Sequence, residues 1–131
     1  MVTILDACAL MAYLEKEPGY EKVRDLLTEA AKKGKNLLMS VVNWGEVFYV
    51  LVKSHGIEET EAIQRLIETL PIDIIPVDVK MTKQSAFYKA TKNLPYVDCF
   101  AGALAKIYKG GLITVDKDFR LLENEIKIVW L

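Results

Sequence analysis

Short apolar runs alternate along the chain with longer segments in which apolar residues recur at helical spacing. The first run ends at Asp6, and the residues after it change at once to helix formers without an intervening glycine or proline. Between Tyr20 and Lys33 the apolar positions recur every three or four residues until Gly34. The pattern predicts five strands, at Val2–Asp6, Asn36–Val42, Ile72–Val77, Leu112–Val115 and Ile126–Trp130.

The segments between the predicted strands have the residues that end helices. Gly34 and Gly56 stand at two helix ends, Gly110-Gly111 at another, and Asn93-Leu94-Pro95 interrupts the pattern between the last two helices. Strands that alternate with helices need crossover connections, so the fold class is α/β, with a parallel sheet between layers of helices. The predicted helices are Ala7–Lys16, Tyr20–Lys33, Asn43–Gly56, Glu58–Leu70, Met81–Thr91 and Val97–Lys109.

The length of 131 residues predicts one domain, spanning 1–131, that buries about two-thirds of the surface of the unfolded chain. Apolar residues make up 52% of the chain, and no low-complexity tract or internal repeat interrupts the pattern. The formal net charge of −1 argues against nucleic-acid binding by bulk electrostatics, although local basic patches remain compatible with it.

Two features bear on the compartment in which the protein works. The apolar stretch Ala7–Leu14 follows an aspartate and lacks a basic leader, and no apolar run approaches the roughly 20 residues that span a bilayer. Cys8 and Cys99 are expected to be unpaired small core residues, as in a reducing compartment. We therefore expect a cytoplasmic protein that does not contact membranes.

Four acidic residues occupy positions where the fold class would bring them together. Asp6 and Asp116 close the first and fourth strands, and the carboxyl ends of parallel strands share one edge of a sheet. Asp98 stands at a helix start that faces the same crevice, and Glu46 lies one helical turn after Asn43. Gathered in this way, the four carboxylates would form a cage for a hard divalent cation.

Structural explanations compete for three of these acids. Asn43 and Glu46 have the spacing of a capping box, in which Glu46 only returns a hydrogen bond to the helix start. Asp98 fits an ordinary N-cap, and Asp116 with Asp118 fits an Asx-turn. Each of these explanations is the commoner one when the residue is taken alone.

Asp6 is the acid that a structural role explains least well. An ionised carboxylate between Leu5 and Ala7, at the junction of two buried elements, would lose several kcal/mol of solvation unless a cation compensated it. One metal site accounts for all four acids at the same end of the sheet, so we favour the cage.

Two segments carry a resemblance to a known family. They are Leu94-Pro95-Tyr96-Val97-Asp98-Cys99-Phe100-Ala101 and the more specific Thr114-Val115-Asp116-Lys117-Asp118-Phe119. With Asp6 and Glu46 in the matching order, the chain resembles the PIN-domain nucleases, especially the VapC-type toxins, over essentially its whole length. The resemblance implies a three-layer α/β/α sandwich around a five-stranded parallel sheet in the order 3-2-1-4-5.

The resemblance also implies roles for individual residues. Asp6, Glu46, Asp98 and Asp116 match the catalytic, metal-binding quartet of the family. The matching positions add Thr114 as a hydroxyl that lines the site and Asp118 as a secondary acid, with Ser40 and Asn43 orienting Glu46 or a phosphate. Cys8 departs from the family, which often has serine or asparagine there.

The activity implied is that of a Mg²⁺- or Mn²⁺-dependent endoribonuclease that leaves a 5′-phosphate and a 3′-hydroxyl. In toxins of this kind a VapB-like antitoxin covers the site. RNA must approach an acidic crevice, and Lys117 and Arg120 are the cations nearest to it in the sequence, so they are candidates for phosphate contact. The lysines of Lys80–Lys92 are better explained as solvated surface. Aromatic residues could also form a homodimer interface or an antitoxin groove, and the candidates are Tyr13, Trp44, Phe48 and Tyr49.

Other functional classes fit less well. An aspartyl phosphatase would have a second acid where Cys8 stands, and a phosphorylated receiver would have to use Asp78 after the third strand. His55 is the only histidine and stands at a helix end, which disfavours a histidine-dependent triad. The stronger alternatives are a PIN nuclease of RNA processing and a degenerate PIN-like binding module without catalysis.

Overall fold

The computed structural model describes residues 1–131, in which all five predicted strands form. Most strands are shorter at one or both ends than the apolar runs that predicted them, because the flanking apolar residues lie in turns or join the next helix. The strands are β1 (Thr3–Leu5), β2 (Leu37–Ser40), β3 (Ile72–Ile75), β4 (Gly111–Thr114) and β5 (Lys127–Trp130).

Six α-helices and one 3₁₀-helix connect the strands. The helix Tyr20–Lys33 has the same first and last residues as predicted, and Gly34 follows it in the left-handed conformation that ends many helices. No helix combines the length and apolar character that would let it cross a membrane. The helices are α1 (Ala7–Leu14), α2 (Tyr20–Lys33), α3 (Val41–His55), α4 (Ile57–Ile67), α5 (Val79–Lys92), α6 (Tyr96–Tyr108) and the 3₁₀-helix η1 (Lys117–Leu122).

The strands pair in parallel in the order β3-β2-β1-β4-β5, which confirms the predicted topology. In the central strand β1, Ile4 pairs with Leu38 on one side and Leu112 on the other. Because every strand runs the same way, Asp6 after β1 and Asp116 after β4 come to the same edge.

Each face of the sheet is covered by its own hydrophobic core, as the three-layer prediction requires. Ile4 and Leu112 pack in the core on the side of α5 and α6. Leu5 and Ile113 alternate to the other face and pack with residues of α1, α2 and α3. All four side chains are at most 2% exposed, so each contributes roughly 1.5–3 kcal/mol by burial.

The return from α6 into β4 depends on a glycine. The helix ends at Tyr108, and its C-cap Lys109 has a left-handed backbone with φ of 52°. A Cβ atom on the next residue, Gly110, would lie 2.6 Å from the carbonyl oxygen of Val2. Only glycine permits this close approach, which brings β4 alongside β1.

The predicted start of the third helix is wrong. The helix α3 begins at Val41, because the Ser40 side chain caps it by accepting a hydrogen bond from the Val42 N–H at 3.2 Å. Asn43 therefore lies inside the helix rather than at its cap, and Glu46 lies in the second turn. The capping-box interpretation of Asn43 and Glu46 is wrong for the same reason.

The helix α5 begins two residues earlier than predicted. Asp78 is its N-cap, and its carboxylate accepts a hydrogen bond from the Met81 N–H at 2.8 Å. This structural role accounts for Asp78 and weakens the receiver alternative, which needs a phospho-acceptor there.

Candidate functional site

Asp6 is the most deeply buried acid at the carboxyl edge of the sheet, with 2% of its surface exposed. It is the N-cap of α1, a role that the sequence interpretation missed, and its Oδ1 accepts a hydrogen bond from the Ala9 N–H at 2.8 Å. Burial raises the pKa of Asp6 to about 7, even though its two hydrogen bonds favour the charged form. Asp116 and Glu46 raise the pKa further by charge repulsion.

Thr114 joins the ends of the two strands that carry Asp6 and Asp116. Its buried hydroxyl donates to Asp6 Oδ2 at 2.5 Å and accepts from the Asp116 N–H at 2.9 Å. Asp116 in turn accepts from the Asp118 N–H at 2.9 Å, so the predicted Asx-turn is confirmed. Thr114 thus fixes both carboxylates relative to the sheet.

Asp98 reaches the crevice from the first turn of α6. The predicted N-cap role for Asp98 is wrong, because the capping residue is Pro95 and Asp98 is the third helical residue. Burial raises the pKa of Asp98 to about 7, and repulsion from Asp116, Glu46 and Asp6 adds to the shift. The side chain is therefore available for a ligand rather than engaged in capping.

Glu46 approaches from α3. Burial raises its pKa, and Asp116 adds to the shift by charge repulsion. Neither Ser40 nor Asn43 forms a hydrogen bond with Glu46, since Ser40 caps α3 and Asn43 Nδ2 donates to the Val97 carbonyl at 3.2 Å. Asn43 instead ties α3 to α6 and so sets the separation of the helices that carry Glu46 and Asp98.

Cys8 lies near enough to all four acids for each of them to repel the charge of its thiolate. The pKa of its thiol rises to about 12, first through burial and then through repulsion by Asp6, Asp116, Glu46 and Asp98. The residue as a whole is exposed, so the prediction that Cys8 is a core residue is wrong. A thiol is a soft ligand and suits a hard divalent cation less well than the carboxylates do.

The other cysteine behaves as expected. Cys99 is buried and free, as a small core residue of α6. No disulfide links it to Cys8.

The closest group of potential ligand atoms comes from Asp98, Asp116 and Asp118, whose carboxylate oxygens lie within 4.8 Å of one another. Asp118 is the exposed member of this group. The Asp6 carboxylate lies deeper, against Thr114 and the start of α1.

No cationic side chain compensates the acids. The salt bridges of the chain all lie elsewhere, and Lys117 and Arg120 are exposed residues of η1 that form none. His55 pairs with Glu15 and Glu59 on the surface and takes no part in the site. A set of carboxylate oxygens without a counter-charge fits a hard divalent cation such as Mg²⁺ or Mn²⁺.

Comparison with known proteins gives a family match and several structural relatives. The family model described as PIN domain matches residues 3–125. No curated protein matches the chain.

The solved structures of similar fold include VapBC2 from Rickettsia felis bound to a promoter DNA fragment, with a TM-score of 0.82, 18% identity and coverage of 100% of this chain and 99% of that one. The DNA-bound VapBC of Salmonella typhimurium gives a TM-score of 0.77 and 18% identity over 99% and 98% of the two chains. VapC20 of Mycobacterium tuberculosis, a sarcin–ricin loop cleaving toxin, gives 0.71 and 15% identity over 90% and 92%. At these identities the similarity is one of fold.

Proposed function

The chain belongs to the PIN-domain family, and from this membership and its acidic crevice we propose that it is a divalent-metal-dependent endoribonuclease. We further propose that residues 1–131 act as a single PIN domain and as the toxin of a toxin–antitoxin pair. The activity would be hydrolysis of RNA phosphodiester bonds.

The observation that carries the proposal is the gathering of four carboxylates around one crevice without a cationic partner. Burial and mutual repulsion raise the pKa values of Asp6 and Asp98 to about 7. Retaining such charges costs stability, and a bound divalent cation would remove that cost. Helix capping does not explain why Asp98 and Glu46 lie at the crevice, because neither side chain makes a capping hydrogen bond.

The metal would be held by Asp6, Asp98 and Asp116, with Glu46 as a direct or water-mediated contact. The oxygens of Asp6 already accept hydrogen bonds, but each carboxylate oxygen has a second lone pair for a cation. Mg²⁺ or Mn²⁺, when bound, would neutralise phosphate charge and make water a better nucleophile at neutral pH. The proximity of Asp118 to Asp98 and Asp116 supports it as a further ligand.

The remaining polar residues of the site would position these groups and the substrate. Thr114 holds Asp6 and Asp116 through its two hydrogen bonds. Asn43 ties α3 to α6 through its hydrogen bond to the Val97 carbonyl and so would support the helices that carry Glu46 and Asp98. Lys117 and Arg120, exposed next to Asp116 and Asp118, would contact the phosphates of RNA.

The structural relatives support the choice of substrate and partner. One of them, VapC20, is a toxin that cleaves the sarcin–ricin loop, and another, VapBC-5 of Mycobacterium tuberculosis, is a member of the VapBC family of toxin–antitoxin systems. We therefore propose RNA as the substrate and a VapB-like antitoxin as the partner. The exposed Tyr49, next to the stacked Trp44 and Phe48 on α3, provides an apolar surface for that partner or for a homodimer.

The direct test is to map new RNA ends after total RNA is incubated with the purified protein and Mn²⁺. We expect discrete cuts that disappear with EDTA and in the Asp98→Asn variant. Glu61→Gln is the matched control, because Glu61 is an exposed acid of α4 that makes no hydrogen bond or salt bridge. Cuts that persist in EDTA or in Asp98→Asn would refute the proposed site, and an absence of metal-dependent cuts in total RNA would favour the binding-module alternative.

A further inference from the structure

Five exposed lysines lie together at the end of α6 that is remote from the carboxylates. They line two adjoining surface hollows of about 410 and 310 Å³, and Lys106 and Glu125 border both. Glu125 is the only acidic residue in either hollow. We call this surface the lysine face, and its lysines are Lys80, Lys83, Lys106, Lys109 and Lys127.

The topology places the lysine face opposite the crevice. Lys127 begins β5 and Lys109 lies just before β4, so both lie at the amino ends of strands. Asp116, in contrast, follows the carboxyl end of β4. Along α6, the rise of about 1.5 Å per residue separates Asp98 from Lys106 by roughly 12 Å.

An exposed aromatic ring lies among these lysines. Phe87 of α5 is 54% exposed and lines the same hollow as Lys80, Lys83 and Lys106. A phenylalanine this exposed contributes little to the core, but its ring offers a stacking surface. Lysines around an aromatic ring are the combination with which proteins bind single-stranded nucleic acid without reading its sequence.

The charge distribution requires a second contact region if RNA is to bind. The whole chain carries a formal charge of −1, and the carboxylates of the crevice repel phosphates. Lys117 and Arg120 are the only basic residues of η1, so most of the attraction for RNA must come from elsewhere. The lysine face lies a few nucleotides away from the crevice along α6.

We propose that the lysine face binds the phosphates of single-stranded RNA flanking the bond that is cut, with a base stacked on Phe87. This inference rests on the proposed ribonuclease function and adds an RNA-binding surface to it. The exposed aromatic ring favours RNA over an acidic polypeptide, because a nucleotide offers both a phosphate for lysine and a flat base for Phe87.

The test is fluorescence anisotropy of a labelled single-stranded oligoribonucleotide in EDTA, repeated over a series of salt concentrations. The variant K80Q/K83Q/K106Q removes three lysines of the face. Its matched control is K32Q/K35Q/K53Q, which removes three exposed lysines from other surfaces and produces the same net charge. Thermal melts of both variants check folding, and if the triple variant is unfolded, Lys83→Gln and Phe87→Ala take its place.

We expect K80Q/K83Q/K106Q to bind RNA at least about tenfold more weakly than the control at low salt. Its plot of log K against log salt should be shallower by about 2, since each phosphate contact on a single strand contributes roughly 0.7 to the slope. Phe87→Ala should weaken binding about fivefold or more through the loss of stacking.

Three results would overturn the proposal. The first is equal affinities and salt slopes for the two triple variants, and the second is no RNA binding by the wild type. The third is a change of oligomeric state in K80Q/K83Q/K106Q with unchanged RNA binding, which would assign the face to a second copy of the chain. Because binding is measured in EDTA, the two proposals can fail separately. A protein that binds RNA through the face but never cuts refutes only the nuclease, and one that cuts while the face variants bind normally refutes only the face.

Discussion

At the carboxyl ends of the strands, Asp6 and Asp98 are packed near two further acids with no cation beside them, whereas at the amino ends the lysines stand in solvent. The amino end is also tightly packed, since Gly110 lies against the Val2 carbonyl with no room for a Cβ. The amino end is therefore tightly packed with its charges in solvent, whereas the carboxyl end keeps buried, unfavourable charges. Unfavourable charges that are retained at one place mark the part of a fold that serves function.

The cost at the carboxyl end can be estimated from Asp6. A rise of its pKa from 3.8 to about 7 corresponds to roughly 4 kcal/mol between the protonated and ionised forms, as an order of magnitude. The free-energy cost of ionising Asp98 is smaller than its pKa alone would give, because that side chain is only partly buried and solvent screens its charge. A loss of this size is a large fraction of the stability of a small domain.

The largest expected effect is that of Asp98→Asn, which should lower activity while raising stability. Asp98→Asn should lower the cleavage rate at least about 100-fold, because the loss of one ligand charge removes several kcal/mol of transition-state stabilisation. Without metal, the same variant should be more stable than the wild type by about 1 kcal/mol, after allowance for screening. Initial cleavage rates and urea denaturation measure the two effects, with Glu61→Gln as the control that should change neither. A variant that loses activity and stability together would indicate damage to the fold rather than to a charge site.

The next effect concerns pH. Asp6 and Asp98 have folded-state pKa values raised to about 7, so the folded chain binds their protons more tightly than the unfolded chain does. Their contribution to stability is fully present below the unfolded pKa near 3.8 and is lost as the pH rises through about 7. In EDTA, the free energy of unfolding should therefore fall by a few kcal/mol over this window, and by about 1 kcal/mol less in the Asp98→Asn variant, which retains Asp6. A parallel pH dependence in the two proteins would show that Asp98 is not perturbed.

A smaller effect tests the link between the two strand ends. Thr114→Val keeps the shape of the side chain but leaves Asp6 Oδ2 and the Asp116 N–H without their hydrogen-bond partner, at a cost of about 1–3 kcal/mol. Thr60→Val is the matched control, because Thr60 is equally buried, but the Gly56 carbonyl it contacts also accepts the Thr60 N–H. Thermal unfolding in EDTA should rank Thr114→Val below Thr60→Val, and the reverse order would contradict the role of Thr114.

The smallest effect lies away from both ends of the sheet. The hydrogen bond that His55 Nε2 donates to the Glu15 carboxylate raises the pKa of His55, so this pair stabilises the fold below the ordinary pKa near 6.5 and ceases to do so as the pH rises through the folded value. An NMR titration of His55 should show the raised pKa, and Glu15→Gln should lower it. An unchanged titration in that variant would show that the contact is not formed in solution.

Sequence patterns predicted a parallel sheet between layers of helices because periodicity and parallel topology follow from few rules, whereas the strand order was implied by the family resemblance. The same rules predicted that Asp6 and Asp116 would reach one edge of the sheet. Local hydrogen bonding was harder to predict, since Ser40 and Asn43 are both good N-caps three residues apart. Only the geometry at the end of β2 selects Ser40.

Two features of the site depend on contacts between distant segments. Asn43 donates a hydrogen bond to the Val97 carbonyl, a contact that no local sequence pattern predicts. The N-cap role of Asp6, in contrast, is local and could have been predicted, because Asp6 precedes a run of helix formers, as Asp78 does. The proximity of Asp118 to Asp98 depends on how η1 folds back after β4.

The most direct test of the central claim, that the four acids are gathered for a divalent cation, is calorimetric titration of Mn²⁺ into the wild type and Asp98→Asn. The titration should be run just below pH 7, in two buffers of different ionisation enthalpy. Since Asp6 and Asp98 are then partly protonated, the account predicts that Mn²⁺ binds with release of protons, and that Asp98→Asn binds more weakly and releases fewer. Absence of binding, or equal affinity and equal proton release in the two proteins, would contradict it.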